Sequence, residues 1–193
     1  MAVIVLKYNQ INNKMGGCMP ETKTLETSKK TALIVVQFVL FIAIVIVAPL
    51  IKQQLIVGPI VNATLFISAA TLGTASAIMI GLIPSVISIS VGLLPAVLAP
   101  VIPFIMISNA IMVSVFSILK KRNFFLGVVA AGLLKYLFLY ATSSVVISLL
   151  LKKEVASSVA QMMSWPQLVT ALIGGLIAFL FLKASKYKVD HKN

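Results

Sequence analysis

Carboxylates are almost missing from this chain. Its four acidic side chains, Glu21, Glu26, Glu154 and Asp190, all fall in polar flanks or loops and never inside an apolar run. Intramembrane proton relays are built from Asp, Glu and His side chains, so proton-coupled transport has no relay here. The one histidine, His191, stands near the end of the sequence and reads as a solvated tail residue. A single cysteine, Cys18, excludes an internal disulfide and any multi-cysteine metal or iron–sulfur site. Acid–base and metal-assisted catalysis lack their side chains, and we expect no enzyme activity, no cofactor and no metal. No GxxxxGK[ST] phosphate loop occurs, so any ATP hydrolysis must come from other chains.

Apolar sequence is what the chain has instead. Of 193 residues 60% are hydrophobic and 10% charged, more apolar surface than a soluble domain of this size can bury. The reading is an all-α polytopic membrane protein. Six transmembrane helices are expected: Thr31 to Ile51, Leu55 to Leu72, Ala75 to Leu93, Ile102 to Leu119, Phe124 to Leu151 and Ser164 to Leu182. Residues 1–30 read as a polar cytoplasmic leader, 31–183 as the transmembrane domain and 184–193 as a basic cytoplasmic tail. Gly58-Pro59 places a proline in the first turn of the second helix, where its missing N–H costs little. Gly73-Thr74 alone separates the second and third helices, which predicts a tight hairpin. Residues 94–103, LPAVLAPVIP, carry three prolines and should hold little helix. Val155–Met162 is mildly amphipathic and is expected along the interface.

The net charge of +12 does not point to nucleic acid, because the basic residues flank apolar segments. They are also lopsided. Lys7, Lys14, Lys23, Lys29, Lys30, Lys120, Lys121, Arg122, Lys183, Lys186, Lys188 and Lys192 fall on one side, against Lys52, Lys152 and Lys153 on the other. The positive-inside rule then puts both termini in the cytoplasm of a cell whose plasma membrane holds the chain.

Lys135 is the exception to this flanking pattern, since it sits inside the run Phe124 to Leu151. At 1.5 Å per residue it lies about 16 Å along the helix from Phe124, beyond comfortable snorkelling for a lysine stem of ~6 Å. A charge at that depth costs about 2.5–3.5 kcal/mol on insertion scales. With no acidic residue in reach, Lys135 must bond to neutral groups, meet another protein, or meet an anionic ligand. Other polar residues gather on the same outer half: Asn62, Asn109, Tyr136, Trp165 and Gln167. Each has an ordinary alternative. Trp165 suits an interfacial belt, Asn62 and Asn109 suit helix-to-helix hydrogen bonds, and Tyr136 suits packing. Together they describe an outward-facing apolar cavity with a few polar anchors.

Six helices in a short basic chain, both termini inside and an outward pocket resemble the substrate-binding (S) component of energy-coupling factor transporters. The resemblance covers residues 31–183 and is architectural. It implies a substrate-capture subunit for a vitamin-like or anionic small molecule, with a scaffold membrane subunit and ATPases on other chains. It also implies that Asn109, Lys135, Trp165 and Gln167 line the pocket. Family members often dock the scaffold through small residues four apart in the first helix, whereas Ala43 and Ala48 here are five apart. The alternative is a non-transporting membrane subunit that docks a partner protein through its helix faces and Lys135.

Overall fold

The computed structural model describes residues 21–92, 96–150, 160 and 163–185. Six α-helices are found among them: α1 (Glu21–Val47), α2 (Gln54–Thr71), α3 (Thr74–Ser90), α4 (Ile102–Leu119), α5 (Phe124–Leu150) and α6 (Trp165–Ala184). Short 3-10 turns cover Ala48–Ile51 and Ala96–Val101. No strand occurs among the described residues. Five segments are long and apolar enough to cross a membrane: Thr31–Ile51, Gln54–Thr71, Ala99–Leu119, Phe124–Ser143 and Trp165–Ala184. The helix Thr74–Ser90 is apolar but shorter. A lipid core leaves no water for backbone groups, so apolar runs of this kind close their hydrogen bonds internally as helix.

The chain divides into two compact units, Met1–Val36 and Gln37–Asn193. In the first, helix begins at Glu21, ten residues before the apolar run. Residues 21–30, part of the polar leader expected from the sequence, are therefore helical. The segment ETKTLETSKK contains neither Gly nor Pro, so nothing in it breaks a helix.

In the second unit α2 is the central helix. Every residue from Val61 to Ala69 is buried, so all of its faces are covered there. The other helices keep exposed apolar flanks, such as Leu133 and Leu137 on α5 and Ile173 and Leu176 on α6. α2 starts at Gln54, which moves Pro59 out of the first turn and into the helix proper. A two-residue connection, Leu72-Gly73, turns the chain into α3, with Gly73 at φ 90° and ψ 172°, backbone open essentially to glycine alone. The three-proline stretch is not free of helix, because Ala96–Val101 forms a 3-10 segment that leads directly into α4. Val155–Met162 lies outside the described residues apart from position 160.

The bundle end holding the α4–α5 turn is closed by aromatic rings. Phe66, Phe116, Phe124 and Phe179 bring α2, α4, α5 and α6 together, with successive centroids 4.7, 5.2 and 5.6 Å apart. Lys120 lies beside this cluster, 5.9 Å from the Phe116 ring centroid, and donates from Nζ to the Ala69 carbonyl. That carbonyl is in the last turn of α2, which carries the negative end of the helix dipole. Burial first, then the neighbouring Lys121, hold the Lys120 ammonium below the usual lysine range.

Candidate functional site

Lys135 is 3% exposed in the middle of the bundle. Its Nζ donates to Asn62 Oδ1 on α2 and Asn109 Oδ1 on α4, both at 2.9 Å. The two amides are locked in turn. Asn109 Nδ2 donates to the Gly81 carbonyl on α3 at 2.9 Å. Asn62 Nδ2 donates to Thr170 Oγ1 on α6 at 3.3 Å, and that hydroxyl donates to the Gln167 carbonyl at 3.2 Å. One connected set of hydrogen bonds thus ties α2, α3, α4, α5 and α6. Flipping either amide would aim an NH₂ group at an ammonium, so Lys135 and the outer acceptors together fix both orientations.

Close backbone approach makes this network possible. A Cβ on Gly174 would lie 2.7 Å from Asn62 Cβ and 2.9 Å from the Pro59 carbonyl, so only glycine lets α6 come this near α2. A Cβ on Gly58 would lie 2.7 Å from Thr170 Cγ2 on the same seam. In α3, Pro84 has no N–H for the Ile80 carbonyl, and the next carbonyl along, Gly81, is the one that takes Asn109.

The six residues singled out from the sequence divide into three groups. Asn62, Asn109 and Lys135 meet directly. Gln167 joins through its main-chain carbonyl, at the far end of the Asn62–Thr170 chain. Tyr136 and Trp165 stand apart from the network. Tyr136 is half-buried and packs on Tyr140 with ring centroids 5.8 Å apart, while Tyr140 is 59% exposed. Trp165, 58% exposed, opens α6 in the position of an interfacial belt residue. Thr170 and Gly81 were invisible to the sequence reading. A threonine in an apolar helix usually bonds its own backbone, and a main-chain carbonyl leaves no mark in sequence.

Electrostatically the site is unbalanced. Two neutral amide oxygens solvate the ammonium, but no carboxylate among the described residues offsets its charge. Among the described residues no group of His, Cys, Asp and Glu could hold a metal ion. The chemistry available is anion recognition or helix cross-linking. Compared with known proteins, the chain matches no family model, no curated protein and no solved structure, so the site is read from its geometry alone.

Proposed function

We propose that this chain is the substrate-capture subunit of a small-molecule uptake system in the plasma membrane, energised by a scaffold subunit and ATPases on other chains. It crosses the bilayer six times with both termini in the cytoplasm, an arrangement supported by the asymmetry of its basic residues. The observation that carries the reading is a buried lysine, Lys135, with no carboxylate beside it among the described residues. A ligand carboxylate or phosphate supplies the missing counter-charge beside the ammonium. Breaking such a buried pair costs about 2–5 kcal/mol, or roughly 30-fold to several thousand-fold in affinity.

One observation favours a second reading. Asn62, Asn109 and Thr170 each donate a hydrogen bond inside the chain, as expected of a structural knot in a subunit that docks a partner protein. Native mass spectrometry of gently purified wild type and Lys135→Met separates the two. Capture is supported by a small acidic molecule retained by the wild type and lost from a still-folded Met variant. A ligand-free wild type together with a Met variant that fails to fold supports the knot and overturns capture.

A further inference from the structure

Serines and threonines inside these helices nearly all donate back to a main-chain carbonyl three or four residues earlier. Thr64 bonds Ile60, Ser88 bonds Pro84, Ser114 bonds Ala110 and Thr142 bonds Phe138. Ser85 does not. It is 4% exposed, and its hydroxyl has no hydrogen-bond partner among the described residues. The carbonyl four residues earlier, Gly81, already accepts from Asn109 Nδ2.

The position is as informative as the vacancy. Ser85 lies one helical turn from Gly81 on the buried face of α3, and Gly81 holds Asn109, which holds Lys135. The step runs towards the end of the bundle where α3 finishes and α4 and α6 begin. An ammonium has three N–H donors, and two of those on Lys135 reach Asn62 and Asn109. The third has no acceptor among the described residues. Two buried donors are thus unused, an N–H of the ammonium and the O–H of a serine one helical turn from the carbonyl that anchors Asn109. Ser117, the other buried hydroxyl without a partner among the described residues, is two turns of α4 away from Asn109 in the opposite direction.

Resting on the capture reading, we infer that Ser85 is the second anchor of the site and that the captured molecule carries a carboxylate: one oxygen accepts from the free N–H of Lys135, the other from Ser85 Oγ. A planar group with two adjacent acceptors matches this pair of donors. A neutral amide of the same shape could satisfy both groups by hydrogen bonds but would leave the ammonium without a counter-charge.

The test uses the full chain in lipid nanodiscs and thermal unfolding at matched ionic strength. Formate, acetate and benzoate are compared with formamide, acetamide and benzamide. Carboxylates are expected to raise the unfolding midpoint and amides to leave it unmoved. Ser85→Ala should match or exceed the wild-type midpoint without ligand, because it deletes an unpaired buried hydroxyl. Its carboxylate affinity should fall about tenfold or more, as for a lost hydrogen bond to a charged group. Wild-type affinity in Ser85→Ala overturns the role of Ser85, and if Lys135→Met abolishes the response in the same experiment the capture reading survives. A lowered ligand-free midpoint in Ser85→Ala shows that the hydroxyl was paired and also overturns the inference. A wild type that answers no carboxylate overturns the ligand class, leaving capture to be judged by the co-purified molecule.

Discussion

Asn62 and Asn109 make the same bond to Lys135 but are not equivalent. Asn62 leans on a hydroxyl, which can reverse, and Asn109 leans on a carbonyl, which cannot. An aspartate at position 62 gives Lys135 a counter-charge while Thr170 turns its O–H towards the new carboxylate. An aspartate at position 109 gives the same counter-charge but sets a carboxylate oxygen against the Gly81 carbonyl, two acceptors with no proton between them, at a cost of about 1–3 kcal/mol. Thermal unfolding should therefore rank Asn62→Asp above Asn109→Asp, and both should lose carboxylate binding because the ammonium is already paired. Equal midpoints would mean that the Gly81 bond contributes little. At this scale the sequence was partly legible. Lys135, Asn62 and Asn109 stand out because each interrupts an apolar run. That they meet one another, rather than a ligand or partner directly, depends on helix approach distances set by Gly58 and Gly174, which no single position reveals.

Helices were easier to read than their ends. The ranges of α4 and α5 follow from lysine clusters and prolines that bound apolar runs. The start of α1 does not, because nothing between Glu21 and Lys30 breaks a helix, and polarity was the only signal for a leader. Two glycines offer a direct test of what holds the elements. Gly174→Ala sets a methyl against Asn62 and the α2 backbone, and overpacking of this kind costs about 1–3 kcal/mol. It should also weaken carboxylate binding, since it pushes Asn62 from its place. Gly73→Ala meets no atom within 4 Å and suffers only the strain of its φ of 90°, again about 1–3 kcal/mol. Comparable losses of stability with binding lost only in Gly174→Ala are expected. Binding lost equally in both would show that any loosening of the bundle disables the site. Lys120→Met adds a third element-level case. It removes a cation from the last turn of α2, and the unfolding midpoint should fall by the equivalent of about 0.3–1 kcal/mol.

For the whole molecule, orientation rests on charge asymmetry. Gln53 and Asn123 are both exposed at helix connections, on opposite ends of α2 and α4. A cysteine placed at position 53, in a chain lacking Cys18, should react with an impermeant maleimide added outside intact cells, and one at position 123 should not. The opposite pattern would invert the topology.

The order of the hydrogen-bond partners along the chain bears on biogenesis. Asn62 and Asn109 both precede Lys135, so in vectorial synthesis both are made before it. A helix carrying a mid-membrane lysine inserts poorly by itself, at a penalty of about 2.5–3.5 kcal/mol. Here the acceptors that would repay it are made first. Replacing both asparagines by leucine should make α5 slip out of the membrane in a fraction of chains, scored by a glycan acceptor site placed after it. Adding Lys135→Leu should restore full insertion. If the asparagine pair proves dispensable for insertion, α5 enters by its own hydrophobicity and the network assembles only afterwards.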